Sequence, residues 1–520
     1  MPSHDDERPT PSDDPAAATD AYDQLEDADE NGATNGASAS SRQWRTLWRT
    51  HFYAGIIAAP VLLLFAVTGL VILYTQPYLD ATQGHLRTVK DRGDWVSFEA
   101  QKAVAEAKTN AAVTSVVLPR NATAATEFGL NTGDSAFVDP YTKEFLGTAN
   151  PDGGLVGLAN RLHGTFNNES VTVKLPAIAG VLDGGPVMQD FVVGDLLLGV
   201  FACWALVLVA SGLYLWWPRK SRAAGGRAGK ALVVPRLSKK GRARWRDLHA
   251  IPGMVVAAGT VFVLVTGMFW SSYWGTNFAS FANKVTPNTW VDAPNSEVAT
   301  VGSLDRLGHK ITWNTGDAAI PDSDSTGIDP ADLPAQVSLD LIVAAGTDEG
   351  MKPGYSISYP EDATDDAGET TYSSFTIANS WPRKTSEAKT VYLDQFTGKT
   401  TGGMDIYGNG GVSVVSDTLV STHMGTQLGV VSRAVMTLVC LAMIWSITSA
   451  VIMYTKRRRP GTAGLPRRPM DVRLAWGLVA LMVVIGLIYP LWGVTALLVL
   501  GLDRFVIRRV PKLRSTFGQR

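Results

Sequence analysis

Hydrophobic and polar positions along this chain fall into blocks. Five apolar blocks occur, at about 52–75, 191–217, 251–273, 428–454 and 474–502. The first four each cover the roughly 20 residues that a helix needs to cross a hydrocarbon core. Tyr489-Pro490 divides the fifth into two pieces, each short for a full crossing, and predicts a helical hairpin there. Between blocks one and two, Phe98 to Lys108 (FEAQKAVAEAK) has the spacing of a helix with alanine and valine on one side. Val138–Gly147 (VDPYTKEFLG) and Leu393–Gly402 (LDQFTGKTTG) each read as strand, turn and return strand. The pattern predicts a multi-spanning α-helical membrane protein with two extracytoplasmic α+β modules. Four main spans lie in two tandem units, and a short C-terminal hairpin follows.

Charge orients the spans. Arg42, Arg45 and Arg49 precede the first block; eleven Lys/Arg lie between Arg219 and Arg246; Lys456 to Arg459, Arg467, Arg468 and Arg473 follow the fourth. Such segments stay on the cytoplasmic side. The expected order is a disordered acidic cytoplasmic tail (1–41), span one (42–76), a first extracytoplasmic module (77–190), span two (191–218) and a basic cytoplasmic loop (219–248). Span three (249–273), a second module (274–422), span four (423–455), a basic loop (456–473), the hairpin (474–503) and a basic cytoplasmic tail (504–520) follow. Both termini are then cytoplasmic. The tail holds eleven Asp/Glu and few large apolar residues, too little to offset chain entropy. It lacks the basic and apolar regions of a cleavable signal, so the first block reads as a retained span. Asp322 to Asp332 reads as a surface loop.

A repeat runs through the spans. An offset of 198 residues aligns His51 with His249, Gly55 with Gly253, and Thr68-Gly69 with Thr266-Gly267. A histidine near a bilayer is costly, and its recurrence at one register calls for chemistry. The chain has seven histidines. His4, His85 and His309 fall in polar segments and read as solvated. His51 and His249 lie at the cytoplasmic entrances of spans one and three, His423 at the outer entrance of span four, and His163 on an amphipathic stretch with Leu155, Leu158 and Leu162. Pairs of neutral imidazoles facing each other hold b-type haem iron for electron transfer. A glycine four residues on, as Gly55 and Gly253 are, leaves room for a porphyrin. One or two haems b are expected, an inner one on His51 and His249 and an outer one on His163 and His423. The alternatives are histidines that snorkel or bond to carbonyls, and glycines that only let helices pack closely. Thr68-Gly69 and Thr266-Gly267 read as packing positions rather than binding ones.

Other chemistry is poorly supported. The two cysteines, Cys203 and Cys440, sit in apolar blocks and suit neither a disulfide framework nor a thiolate cluster. No carboxylate or cysteine accompanies the histidines at their depth, which argues against zinc. Neither GxGxxG after a strand nor GxxxxGK[ST] occurs, and neither Ser-His-Asp nor HExxH. Topology and anionic lipid account for the basic loops, so membrane lipid is an expected partner and nucleic acid is not.

Several stretches together resemble one family: WRTLWRTHFYAG, VDPYTKEFLG, RLHGTF, GLYLWWPRK, RWRDLHAIPG, and THMGTQLG with its KRRRP exit. Over about 44–460 the chain resembles the PepSY-associated transmembrane family, also called iron-regulated membrane proteins, whose relatives include inner-membrane ferric-siderophore reductases. The resemblance implies PepSY-like external modules and haem b on His51, His163, His249 and His423. It further implies electrons passed from a cytoplasmic or membrane donor to a ferric siderophore outside the cytoplasmic membrane. Two alternatives stand beside this oxidoreductase reading. One is a non-enzymatic membrane module that binds or restrains an external partner such as a peptidase. The other is a permease for an iron chelate, which the scarcity of ionisable residues in the blocks disfavours.

Overall fold

The computed structural model describes residues 39–168, 170–217, 241–288, 295–300, 319–323, 333–364, 368, 370–379, 383–457, 465 and 476–517. Most of the acidic tail, most of both basic loops, His4, His309 and most of the Asp322–Asp332 stretch lie outside the described residues.

In chain order, α1 (Ala39–Leu73), α2 (Thr75–Arg87) and α3 (Phe98–Thr109) precede β1 (Val113–Val117), β2 (Thr126–Leu130), β3 (Ser135–Val138) and β4 (Phe145–Ala149). Next come α4 (Gly154–Thr165), β5 (Thr172–Pro176), α5 (Ile178–Asp183), β6 (Met188–Val192), α6 (Val193–Trp216), α7 (Gly241–Met268) and α8 (Ser272–Val285). Then follow β7 (Asn295–Thr300), β8 (Ala319–Pro321), α9 (Leu339–Asp348), β9 (Ser356–Ser358), β10 (Ala363–Thr364), β11 (Thr370–Thr371) and β12 (Phe375–Ala378). The chain closes with β13 (Lys389–Leu393), β14 (Thr400–Asp405), α10 (Gly411–His423), α11 (Val430–Arg457), α12 (Trp476–Ile488), α13 (Pro490–Gly501) and α14 (Pro511–Thr516).

Among the described residues five helices are long and apolar enough to cross a membrane: Gln43–Leu73, Val193–Trp216, Arg244–Met268, Val430–Lys456 and Pro490–Ile507. The first four coincide with the four long apolar blocks, and the protein is a multi-spanning membrane protein with a β-sheet region. The fifth block is broken at Tyr489, whose extended backbone (φ −126°, ψ 81°) separates α12 from α13. These two helices pack on each other through glycine: a Cβ on Gly486 would lie 3.7 Å from the Gly493 Cα. Trp492 and Tyr489 are buried at the fold-back.

The chain forms two compact units. One comprises residues 1–56, 207–251 and 449–520; the other comprises 57–206 and 252–448. In the first, the Arg49 guanidinium donates to the Phe517 carbonyl at 3.0 Å and the Phe517 ring stacks on Tyr53, which fastens the C-terminal tail to α1.

The second unit holds the sheet. Eight strands pair in the order β14-β13-β12-β9-β1-β2-β3-β4. The two segments expected as separate modules each supply one helix and four strands, and they join into one sheet where β1 pairs antiparallel with β9. The α3 and α9 helices cover it, with Phe98, Ala105, Leu339 and Ile342 in one apolar core with Phe128, Ile357, Phe375 and Ile377.

The duplication extends to individual bonds. At the β3–β4 corner, Asp139 Oδ1 accepts from the Tyr141 and Thr142 amides; at the β13–β14 corner, Asp394 Oδ1 accepts from Phe396 and Thr397. Lys143 (φ 60°) and Gly398 (φ 70°) take the matching left-handed positions. The helix starts exchange caps: Asp340 accepts from the Phe98 amide at 2.7 Å, and Glu99 accepts from the Leu339 amide at 2.9 Å. Each carboxylate thereby satisfies an N–H group at the positive end of the other helix.

Candidate functional site: two histidine pairs

Each unit contains two of the four histidines singled out by the sequence. His51 on α1 and His249 on α7 belong to the first unit, and His163 on α4 and His423 on α10 belong to the second. His85 is exposed on α2.

The His51 and His249 rings lie 6.4 Å apart between centroids, with their planes at 61°. His51 Nδ1 is 3.0 Å from the Leu208 carbonyl oxygen and 3.1 Å from Ser211 Oγ. Ser211 donates its own hydrogen to the Val207 carbonyl at 2.7 Å. A carbonyl can only accept, so Nδ1 of His51 carries the proton and its Nε2 lone pair remains for a ligand. The ring fits because Gly212 has no side chain: a Cβ there would stand 3.0 Å from His51 Cε1.

His163 sits near the C-terminal end of α4, a helix closed by Phe166 in the left-handed conformation. His423 is the last residue of α10, and a turn through Gly425 and Gly429 separates it from α11. Neither histidine is on a spanning helix; each reaches one from a neighbouring helix. His163 Nδ1 lies 2.9 Å from Thr68 Oγ1, and His423 Nδ1 lies 2.8 Å from Thr266 Oγ1. The following glycine faces the ring in both places: a Cβ on Gly69 would make ordinary contact with His163 Cε1 at 3.4 Å, and one on Gly267 with His423 Cε1 at 3.5 Å. Burial lowers the His163 pKa to about 4, and burial together with the nearby His163 lowers that of His423 to about 3. Both rings are therefore neutral at physiological pH, the form that binds a metal.

Gly55 and Gly253 do not abut the histidine rings. A Cβ on Gly55 would meet Leu208 Cδ1 at 3.5 Å, and one on Gly253 would meet Ser446 Oγ at 3.4 Å. The glycines whose missing side chains would touch histidine rings are Gly212, Gly69 and Gly267. The sequence pattern assigned Thr68 and Thr266 to packing. Their signal was visible, because the Thr-Gly pair recurs at the same 198-residue offset as the histidines, but packing and ligand support look alike in a one-dimensional pattern.

The donor set can be tested against candidate groups. Among the described residues no cluster of three or more His, Cys, Asp or Glu could hold a metal ion. Two imidazoles alone are too few for a four-coordinate ion held by side chains, whereas a haem iron needs only its two axial ligands from protein. Metal–imidazole bonds of about 2 Å on opposite sides of one iron, with each ring centre about 1 Å beyond its nitrogen, place the centroids about 6 Å apart. The 6.4 Å separation of His51 and His249 fits that requirement.

Comparison with curated proteins finds no match. Residues 48–457 match the family described as PepSY-associated TM region; this stretch contains all four histidines and both Thr-Gly pairs and ends before α12. Since the match covers most of the chain, the protein belongs to the PepSY-associated TM region family.

Proposed function

We propose that this protein is a haem-b electron-transfer protein of the cytoplasmic membrane that reduces ferric iron, carried by a siderophore, on the outer face. The observation that carries the reading is the shared state of three histidines: His51, His163 and His423 each direct Nδ1 at an oxygen acceptor. Their Nε2 atoms are thereby left to bind iron. The basic segments support a reading with both termini in the cytoplasm, the His51–His249 pair towards the inner side and the His163–His423 pair towards the outer side.

Haem would supply reversible one-electron chemistry at these pairs. The residues of the chain do the rest. Leu208 and Ser211 hold the His51 ring in its donor tautomer, and Thr68 and Thr266 do the same for His163 and His423. Burial keeps the His163 and His423 imidazoles uncharged, and two histidines at each pair would leave a bound haem no position open to oxygen. Outer-sphere reduction of a chelate requires no acid or base from the chain, and none is assigned. The electron donor would be a cytoplasmic or membrane reductant, and the PepSY-like sheet would face the acceptor.

A second reading makes the protein a non-enzymatic module whose external sheet binds a partner such as a peptidase. It is favoured by the size of the eight-stranded sheet, whose edge strands β4 and β14 each have one paired side. Replacing His51 by Ala separates the two. Loss of a reduced-minus-oxidised b-type haem signal supports electron transfer; wild-type protein purified without haem from haem-replete cells overturns it.

A further inference from the structure

Thr68 and Thr266 are equivalent under the 198-residue repeat, and each makes the same two bonds. The hydroxyl of Thr68 donates to the Leu64 carbonyl at 2.8 Å, and that of Thr266 donates to the Phe262 carbonyl at 2.7 Å. A hydroxyl has one hydrogen, so with that hydrogen on the carbonyl four residues back, the oxygen facing the imidazole can only accept. His163 and His423 must then donate from Nδ1, at 2.9 Å and 2.8 Å. The next residue in each case is a glycine that faces the same ring. Helix packing alone requires small residues here but no acceptor aimed at a ring nitrogen.

We infer that Thr68 and Thr266 are positioning residues that fix the tautomer and orientation of His163 and His423 and set the strength with which these imidazoles donate to a bound haem iron. The inference rests on the haem reading above. An acceptor at Nδ1–H makes the other ring nitrogen a better donor, and a better donor stabilises the oxidised metal. Removing the hydroxyl without changing the volume weakens that donation and raises the reduction potential at this pair alone. The His51 acceptor is a main-chain carbonyl, with Ser211 beside it, and it is untouched by changes at the threonines.

The test uses the full chain in lipid nanodiscs, prepared from haem-replete cells, with the variants Thr68→Val, Thr266→Val and Thr68→Ser. Redox titration followed in the visible spectrum gives the midpoint of each haem component, and low-temperature EPR of the oxidised protein reports axial-ligand geometry. Second-shell losses of this kind change metal binding by about 10-fold to 100-fold. A tenfold change in preference between the two oxidation states corresponds to about 59 mV for one electron. The expected result is a positive shift of this size in the same single component for both valine variants, with the serine variant near wild type. Loss of that component in the valine variants but not in Thr68→Ser supports the same conclusion. Unchanged midpoints and EPR in haem-loaded valine variants overturn the inference and leave the haem reading standing. Equal shifts of both components, or a serine variant as damaged as the valine one, also overturn it. Haem-free wild type overturns both.

Discussion

Gly212 offers a quantitative check on the His51 site. A Cβ at this position would stand 3.0 Å from His51 Cε1 and 3.4 Å from Nδ1, while unstrained carbon contacts lie at about 3.5–4.0 Å. In Gly212→Ala the ring must therefore retreat from α6 by about 0.5 Å. The acceptors of its Nδ1–H, Leu208 at 3.0 Å and Ser211 at 3.1 Å, are on that same helix, so the retreat stretches both bonds to the edge of useful geometry. A weakened hydrogen bond costs about 0.5–1.5 kcal/mol and overpacking about 1–3 kcal/mol, against a gain of about 1 kcal/mol for alanine over glycine in a helix. The balance is a loss of about 0.5–3.5 kcal/mol. Gly69→Ala is the matched control, because its Cβ would meet His163 Cε1 at an ordinary 3.4 Å, leaving the helix-propensity gain nearly unopposed. Thermal denaturation of the purified proteins, with haem content measured in parallel, should rank Gly69→Ala at or above wild type and Gly212→Ala below it. The haem lost from Gly212→Ala should be the one at His51 and His249. A Gly212→Ala protein as stable as Gly69→Ala, with full haem, would refute the argument.

Further predictions follow from the same contacts. Asp340→Ala removes the acceptor of the Phe98 amide and of Ser97 Oγ at the start of α3; on the scale of N-cap losses it should cost about 1–2 kcal/mol in denaturant unfolding, and no change would deny the exchanged caps a role. Asp417 is buried, and the neighbouring Arg383 opposes the upward push of burial on its carboxyl pKa; Asp417→Ala should destabilise the fold by leaving the Arg383 charge uncompensated, and adding Arg383→Met should recover part of the loss. A double variant no better than the single would contradict the pairing. His51→Ala should remove one component of a redox titration and keep the one that Thr68→Val shifts, because Thr68 faces His163 and not His51; loss of the threonine-sensitive component would reverse the assignment.

The spans were legible because each is a long apolar run whose meaning does not depend on its neighbours. The hairpins at Asp139 and Asp394 were legible for a local reason as well, since an aspartate bonding to amides two and three residues on writes a turn within a few positions. Union of the two strand-bearing segments into one sheet was hidden: it depends on β9, a strand of three residues (Ser356–Ser358) pairing with a partner some 240 positions earlier. At the histidines the repeat identified the residues but not their supports. Gly212 lies 161 positions from His51, and nothing in its own surroundings marks it as the glycine beneath that ring. Thr68 and Thr266 could be paired with each other by the repeat, yet their bonds depend on α4 and α10, two short helices whose docking against the spans leaves no periodic trace.

The central claim, that the two histidine pairs hold haem, is tested most directly by one absorbance measurement: the haem-to-protein ratio and reduced-minus-oxidised spectrum of full-length protein beside His51→Ala and His163→Ala. The account predicts a b-type spectrum with two haems per chain, falling to about one in each variant. A haem-free wild type, or a wild-type spectrum that neither substitution alters, would contradict it.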